Sequence, residues 1–481
     1  MEYILHMNLI LLSSQYGPQN SSTTKPLGCY QLASWLRQHG FTVKVIDHCS
    51  IINTAILKSM ISKFIDDTTV AIGVSSTFWG ENERFKDANT RRGASEPQWV
   101  LDIRDSVEAD FPNLDWLVGG FSAAWTYQLA KEWIRFIDYS EDSLLKYMDS
   151  KLNRSADRSN FDIESASLHY HATDFIQPHE ALTMELGRGC QFKCKFCQYP
   201  HIGKKKGTYL RSMECVKNDL LYNYEHFGTT RYSFVDDTVN EDYDKIVALA
   251  NIAQKLPFQL EWAGYNRIDL IWSRPETKQI LKDSGLKSSY FGIESFNPQV
   301  AKLVNKGWFG KHARDFVLEL REDWGKDISF FMSFIVGFDG EDEQSVIKTA
   351  DWLLENQFYS WWFQPLRIKR IPSGVPAVFV SEFEKNYAEY GYKFPNPLSN
   401  DYWEHNYWNA NRAIQVADAC NKKLHGIAIP AAFSIFEKTN LGYNTNDVLW
   451  RHRQDYDQQE DKNRFNQFIQ NYVDATLTYQ S

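Results

Sequence analysis

The sequence predicts an α/β protein with two successive series of alternating strands and helices, followed by a helical extension. Short apolar runs alternate with amphipathic patterns up to about residue 150, and the same alternation returns after residue 178. The 481 residues are enough for two or three domains, each with its own core. A hydrophobic content of 43% and an aromatic content of 15% are typical of folded globular proteins.

The first series, residues 1–150, contains five short apolar runs that we interpret as strands. These runs are 9–12, 43–46, 70–74, 114–118 and 134–137. Helical patterns accompany them at 27–39, 51–65 and 97–111, after Ser122 and from Glu141 onward. Repeated βαβ units favour a parallel sheet with helices on both faces. We therefore expect a doubly wound, Rossmann-like domain whose ligands lie beyond the carboxyl ends of its strands.

Three strand ends in this first series have sequences suited to a ligand. They are residues 13–22, which contain Gly17-Pro18, the pair Ser75-Ser76 with residues 77–80, and the pair Gly119-Gly120 with Phe121 and Ser122. Paired glycines let a backbone approach a ligand closely. A tight strand-to-helix turn explains the same glycines equally well, so both interpretations stay open.

A polar linker, residues 151–178, precedes the second series, which occupies residues 179–374. Its six apolar runs are 181–186, 231–235, 259–263, 289–293, 328–336 and 360–365. Helical patterns separate them at 213–227, 243–256 and 275–284, after Asn297 and at 343–356. Residues 375–481 are rich in aromatic side chains, and we expect an α-rich extension with an aromatic core.

The charge and the cysteine content exclude several classes of function. The net charge of −9, from 52 basic and 61 acidic residues, argues against generic nucleic-acid binding. No apolar run is long enough to cross a membrane, and Met1-Glu2-Tyr3 lacks the basic start of a signal peptide. Seven cysteines, an odd number, suit a reducing compartment better than a disulfide framework. We expect a cytoplasmic protein that does not act at a membrane.

Three of the seven cysteines lie within eight residues, directly after the strand predicted at 181–186. They are Cys190, Cys194 and Cys197, with the spacing C-x3-C-x2-C. Soft sulfur ligands at such spacing favour an iron–sulfur cluster or zinc over hard cations. Three ligands would leave one iron of a cluster open to another molecule. A structural zinc site completed by His201 is the alternative.

With the aromatic Phe196 before the last cysteine, this loop resembles the signature of the radical S-adenosylmethionine (SAM) enzymes. The resemblance implies that Cys190, Cys194 and Cys197 hold a [4Fe-4S] cluster and that SAM chelates the fourth iron. Reduction of the cluster then cleaves SAM to a 5′-deoxyadenosyl radical. An electron donor such as flavodoxin or ferredoxin is the implied protein partner.

The six βα units resemble the partial (β/α)6 barrel of this superfamily, which carries its reactive end at the carboxyl termini of the strands. The resemblance extends to an Arg-x-Asp element at Arg267 and to a Gly-Ile-Glu-Ser element that ends in Glu294 and Ser295. Gly337 begins a turn in which Asp339 replaces the proline of the family pattern. The residues expected to contact SAM are Tyr199, Asp236, Arg267, Glu294, Ser295 and Gly337. For Asp236, capping of the next helix is an open alternative.

The first domain resembles the cobalamin-binding domain found before the barrel in one branch of the superfamily. The resemblance implies that Ser75, Ser76, Gly119 and Gly120 line the nucleotide tail of cobalamin. The loop after the first strand contains no histidine to ligate cobalt, and His48 follows the second strand instead. We therefore expect cobalamin to be held without a histidine ligand, with Trp79 against its lower face.

These resemblances predict a radical SAM enzyme that transfers a methyl group from cobalamin to an unactivated carbon of a small molecule. A cobalamin-free radical enzyme that oxidises, rearranges or epimerises its substrate is the first alternative. A non-catalytic, zinc-stabilised binding module is the second. The residues do not indicate which small molecule is the substrate.

Overall fold

The computed structural model describes eleven segments of the chain: residues 7–14, 22–77, 97–120, 136–137, 140–153, 160–199, 202–307, 312–370, 380–397, 399–424 and 434–480. Several residues considered above lie outside these segments. They are Gly17, Pro18, Phe78, Trp79, Gly80, Phe121, Ser122 and His201, together with the helix expected after Ser122.

The first series forms a five-stranded parallel sheet. Its strands are β1 (Asn8–Leu12), β2 (Thr42–Ile46), β3 (Thr69–Ser75), β4 (Asp115–Gly119) and β5 (Phe136–Ile137). They lie in the order β2-β1-β3-β4-β5, with every pair parallel. The strand order therefore reverses beside β1, and in such sheets ligands bind outside the carboxyl ends at this reversal.

Helices cover both faces of this sheet. They are α1 (Leu27–Gln38), α2 (Thr54–Ser62), α3 (Gln98–Glu108) and α4 (Glu141–Lys151). Leu9 and Leu11 of β1 pack with α1, whereas Ile10 and Leu12 point to the opposite face and pack with α2 and α3. This alternation confirms the doubly wound sheet, because a strand buried on both faces must be apolar at successive positions.

The second series forms a six-stranded parallel sheet in sequential order. Its strands are β6 (Leu182–Met184), β7 (Arg231–Phe234), β8 (Glu261–Asn266), β9 (Leu286–Glu294), β10 (Ser329–Val336) and β11 (Trp361–Pro365). Neighbouring strands pair in parallel register throughout. Because β6 and β11 are the two edges of the sheet, the barrel is open between them, as a partial (β/α)6 barrel requires.

The helices of this series are α5 (Met213–Phe227), α6 (Tyr243–Ala253), α7 (Ile268–Ser273), α8 (Thr277–Asp283), α9 (Pro298–Leu303), α10 (His312–Trp324) and α11 (Glu343–Glu355). The single helix predicted at 275–284 is preceded by the short helix α7. Pro275 explains the break, because a proline disfavours helical backbone at the residue before it, and Arg274 has φ −139° and ψ 84°.

The extension contributes helices α12 (Glu382–Lys385), α13 (Ala410–Lys422), α14 (Ser434–Asn440), α15 (Thr445–Val448) and α16 (Gln458–Thr478). On α13, the side chain of Asn421 accepts a hydrogen bond from Phe363 N at 2.9 Å and donates one to Phe363 O at 2.8 Å. The edge strand β11 is thereby covered. Tyr472 and Val473 of α16 pack into the core of the first sheet. Among the described helices, none has the length and apolarity to cross a membrane.

Candidate active site

The loop that carries the three cysteines follows β6 at the carboxyl end of the barrel. Cys190 is buried, Cys194 and Cys197 are part-exposed, and none of them forms a disulfide. Backbone hydrogen bonds shape the loop, from Cys197 N to Cys194 O at 3.0 Å and from Lys204 N to Cys190 O at 3.1 Å. Burial raises the pKa of the Cys190 thiol to about 12 and that of Cys197 to about 11. Thiols in such a setting lose their protons only when a cation replaces them.

The guanidinium of Arg267 braces this loop. It stacks on the ring of Phe192 at 3.9 Å, and its Nη1 lies 3.6 Å from Cys194 Sγ. Its Nε and Nη2 donate to the carboxylate of Asp269 at 3.0 and 2.7 Å. The fork of Arg267 is thus occupied by Asp269, and the nitrogen that remains is directed at the sulfur.

The donor set fits a cluster better than a single ion. In the described segments, no three His, Cys, Asp or Glu side chains converge closely enough to hold one metal ion. A cubane cluster does not need such convergence, since its four irons separate the sulfur ligands by several ångströms. Three thiols are the soft ligands that iron in such a cluster prefers. His201, the fourth ligand of the zinc alternative, lies outside the described residues.

Two adjacent carboxylates at the end of β7 have different surroundings. Asp236 accepts a hydrogen bond from Leu186 N at 2.8 Å and pairs with Lys245 at 3.4 Å. Burial raises its pKa to about 6. Asp236 therefore ties β7 to the end of β6, and the cap of α6 is Asp242. The capping alternative for Asp236 is wrong.

Asp237, the second of these carboxylates, differs from Asp236 in its hydrogen bonding. Its Oδ2 is buried and has no hydrogen-bond partner in the described structure. Burial, followed by the charge of Asp236, raises its pKa to about 8. It acts electrostatically on Cys190 and Cys197, which shows that it lies close to the cysteine loop. Asp237 is not among the residues expected to contact SAM, because its lack of a partner is visible only in the folded structure.

Glu294 and Ser295 end β9, and both are already bonded to protein groups. Glu294 has a positive φ of 64° and forms an ion pair with Lys306. Ser295 Oγ donates to Glu341 Oε1 at 3.0 Å and accepts from Asn297 N at 2.9 Å. Lys306 escaped the sequence analysis, because it follows Glu294 by twelve residues and no local spacing connects them.

Gly337 follows β10, and the extension closes against it. Its φ is +120°, and a Cβ at this position would lie 2.7 Å from the ring of Trp403. Its carbonyl lies 3.0 Å from His405 Nε2 and accepts from the Tyr392 hydroxyl at 3.3 Å. The part-exposed Tyr199 lies two residues after Cys197, and its pKa is raised first by burial and then by the charge of Asp237.

The four residues selected in the first sheet lie together. Ser75 pairs with Gly119 across β3 and β4, and both the backbone N and Oγ of Ser76 donate to Gly119 O, at 2.7 and 2.9 Å. Gly120 has a φ of +101°, and a Cβ there would lie 2.6 Å from Thr77 Oγ1. We call Ser75, Ser76, Gly119 and Gly120 the Ser–Gly shelf.

His48 takes no part in this shelf. It lies after β2, is fully buried, and packs edge-on against Tyr472 and Phe468 of α16, with ring centroids 5.4 and 5.9 Å away. Burial lowers its pKa to about 4. His48 is thus a neutral core residue beside the C-terminal helix.

One side chain connects the two sheets directly. Arg188, in the turn before Cys190, donates to Glu141 Oε1 at 2.7 Å and to Glu185 Oε1 at 2.6 Å. It also lies over the ring of Phe161 at 5.1 Å. Glu141 is the first residue of α4, so Arg188 ties the cysteine loop to the last helix of the first sheet.

Comparison with known proteins agrees with this geometry. The family model of the Radical SAM superfamily matches residues 184–353. Bacteriochlorophyllide d C-12(1)-methyltransferase of Chlorobaculum tepidum is 25% identical over 248 residues, which are 50% of this chain and 52% of that protein. An uncharacterized methyltransferase of Pyrococcus horikoshii is 26% identical over 163 residues, 34% of each chain. The matched part of the chain therefore spans about half the length of the first of these curated relatives and about a third of the length of the second.

Solved structures share nearly the whole fold. TsrM of Kitasatospora setae, a radical SAM methyltransferase solved with cobalamin and a [4Fe-4S] cluster, superposes with a TM-score of 0.64 at 13% identity, over 96% of this chain and 99% of that one. The cobalamin-dependent radical SAM enzyme OxsB, solved with aqua-cobalamin and SAM, gives 0.58 at 14% identity, over 98% and 72%. Residues 184–353 therefore match the Radical SAM superfamily, and the chain has the fold of TsrM and OxsB.

Proposed function

We propose that this protein is a cobalamin-dependent radical SAM methyltransferase that acts on a small molecule. The observation that carries the proposal is that one chain places three free thiols and the Ser–Gly shelf at the carboxyl ends of two joined parallel sheets. The fold of TsrM, which binds both cofactors, runs along almost the whole chain and supports the same conclusion.

In this proposal Cys190, Cys194 and Cys197 hold a [4Fe-4S] cluster. Tyr199, Asp236, Arg267, Glu294, Ser295 and Gly337 surround SAM. Asp236 and Arg267 act mainly by bracing the cysteine loop, because their polar atoms are engaged with Leu186, Lys245 and Asp269. When bound, the cluster would supply the electron that cleaves SAM, and cobalamin would carry the methyl group.

The Ser–Gly shelf would receive the nucleotide tail of cobalamin. Gly120 fits this role, because its backbone conformation and the nearby Thr77 leave no room for a side chain, so the chain can lie flat against a ligand. The buried His48 points into the core beside α16. Cobalamin would therefore be bound through its nucleotide tail and the edge of its corrin ring, without a histidine ligand below the cobalt.

The same proposal assigns the parts of the chain. Residues 1–150 are the cobalamin domain, 151–178 the linker, 179–374 the radical SAM barrel and 375–481 the closing extension. Arg188 keeps the cysteine loop at a fixed place relative to α4 of the cobalamin domain. A flavodoxin or ferredoxin would deliver the electrons.

Product analysis tests the proposal. Anaerobically reconstituted protein, loaded with hydroxocobalamin and given SAM and a reductant, should form S-adenosylhomocysteine together with 5′-deoxyadenosine. Formation of 5′-deoxyadenosine without S-adenosylhomocysteine would instead support the cobalamin-free radical enzyme. Stoichiometric zinc with no cleavage of SAM would support the zinc-stabilised module.

A further inference from the structure

The lumen of the barrel has a floor made by the C-terminal extension. Ile435, Phe436, Val448 and Leu449 of α14 and α15 pack against Ala263 of β8 and Ala181 at the start of β6. Thr445 also donates to Glu261 Oε2 at 2.8 Å, at the first residue of β8. The space open to a substrate is therefore the half of the lumen above Ala263, on the side of the cysteine loop.

The wall above this floor is aromatic. Tyr265, two residues after Ala263 on the same face of β8, pairs in register with Tyr290, which pairs with Phe331. Their ring centroids are 4.6 and 4.8 Å apart. Tyr265 is 38% exposed and Val235, at the end of β7, is 40% exposed, whereas most residues of these strands are buried. An exposed apolar face inside a barrel is a surface made for an apolar ligand.

The charges around this wall do not suit an anion. Several basic side chains at this end are already paired: Arg267 with Asp269, Lys306 with Glu294, and Lys245 with Asp236 and Glu241. Arg188 is paired with Glu141 and Glu185. In contrast to these paired side chains, Asp237 has a buried oxygen, Oδ2, without a hydrogen-bond partner in the described structure. A buried acceptor of this kind gains most from a ligand that donates to it.

We infer that the substrate is a planar heteroaromatic molecule that lies against Tyr265 and Tyr290 and donates an N–H to Asp237. This inference rests on the proposed function and adds the class of substrate to it. Aromatic faces prefer a flat, polarisable partner, and Asp237 fixes which edge of the ring turns toward the cysteine loop. A saturated molecule of the same size lacks the flat face, and one without an N–H lacks the hydrogen bond to Asp237.

The test uses four probes that share one skeleton. Indole is planar and has an N–H, 1-methylindole lacks the N–H, indole-3-carboxylate adds an anion, and octahydroindole is not planar. Binding is measured by saturation-transfer NMR on reconstituted protein saturated with SAM, and again without the cluster. Indole should bind and octahydroindole should not. 1-Methylindole should bind about tenfold more weakly, the factor expected from one lost hydrogen bond. Indole-3-carboxylate should also bind more weakly than indole, because the basic side chains named above are already paired.

Three variants test whether the probes bind at this wall. Tyr265→Ala should abolish the indole signal, and Asp237→Leu should make indole and 1-methylindole equal. Tyr222→Ala, which removes a ring stacked on His169 and His226 at the outer surface of α5, is the matched control and should change neither. Thermal unfolding of each variant shows whether the protein is folded.

Three results would overturn the inference. Octahydroindole could bind as well as indole, indole could keep its signal in Tyr265→Ala, or SAM could displace indole, in which case the wall holds the adenine of the cofactor. Absence of binding by every probe to protein with a full cluster would also reject it. Iron content and formation of 5′-deoxyadenosine, measured on the same sample, report separately on the proposed function.

Discussion

The carboxyl ends of the two sheets are built differently. At the barrel end, charged side chains are paired and buried around the cysteine loop, as in Arg267 with Asp269 and Glu294 with Lys306. At the end of the first sheet, the Ser–Gly shelf consists of small side chains and backbone hydrogen bonds, and its critical residue is Gly120. We therefore expect substitutions that remove a charge to impair the barrel end, and substitutions that add side-chain volume to impair the Ser–Gly shelf.

This contrast follows from what each end is proposed to hold. A cluster with thiolate ligands and the charged SAM need fixed charges nearby, since buried ions are costly unless they are paired. The tail of a large cofactor needs close backbone approach, which glycine allows and any side chain prevents.

The largest effect is expected for Cys194→Ala. Loss of one of three thiolates should remove the cluster, so that iron falls from about four per chain to almost none. Retention of hydroxocobalamin after desalting should not change, because the loop lies outside the first sheet, one face of which has a core separate from the barrel. Cys215→Ala, in a half-buried position on α5 outside the loop, is the matched control and should keep its iron. Full iron content in Cys194→Ala would contradict the assignment of the loop.

Gly120→Val should lower the retention of corrin and leave the iron content unchanged, the opposite of Cys194→Ala. The branched side chain would collide with Thr77 at a positive φ, so we expect at least a roughly tenfold loss of corrin retention with normal iron content. Gly28→Ala is the control, because a Cβ at Gly28 meets nothing within 4 Å. Equal corrin retention in both variants would show that the shelf is only a turn.

Arg267→Gln should have a smaller effect, limited to the cluster. The guanidinium near Cys194 Sγ stabilises the more negative, reduced cluster, so its loss should lower the midpoint potential by on the order of 60 mV. Redox titration followed by EPR measures this shift. Arg274→Gln changes an exposed arginine that lies over Tyr243, and its potential should match that of the unchanged protein. A higher potential in Arg267→Gln would contradict this role.

The smallest effect concerns Glu341, whose carboxylate accepts from Ser295. Burial raises its pKa from 4.5 to about 7, so the folded chain holds this proton at pH values where the unfolded chain has lost it. Stability should therefore be lost as the pH rises from about 4.5 through 7. Glu341→Gln should avoid this loss, and its Tm relative to the unchanged protein should increase by a few degrees between pH 5 and pH 8.

Glu343→Gln, at a part-exposed residue paired with Arg412, is the control for this pH dependence. Its Tm difference from the unchanged protein should stay constant over the same range. A constant difference for Glu341→Gln as well would show that the Glu341 carboxylate is not buried in solution.

The sequence predicted the architecture well because hydrophobic alternation and the cysteine spacing are local signals. β1 and the six strands of the barrel were identified from apolar runs, and the start of α5 at Met213 was predicted correctly. The helix expected at 275–284 corresponds to α8, whereas the short helix α7 before Pro275 was not predicted. In the first sheet, Ser75, Ser76, Gly119 and Gly120 were selected at the ends of two strands, and the structure brings all four together.

The partners of the site residues could not be predicted, because they are distant in sequence. Lys306 reaches Glu294 through the turn after α9, and Arg267 reaches Cys194 across 73 residues. The contacts of Trp403 and His405 with Gly337 depend on how the extension folds back, which no local pattern encodes. Asp237 was overlooked for a different reason: its distinguishing property is the absence of a partner, which only the folded structure shows.

The most direct test of the central claim is to measure iron and corrin on one sample. The full chain is reconstituted anaerobically, soaked in hydroxocobalamin and desalted, and its iron, zinc and corrin spectrum are then measured. We predict about four irons and stoichiometric corrin per chain, with little zinc. A full complement of iron without retained corrin would contradict the claim that this chain is built to hold both cofactors.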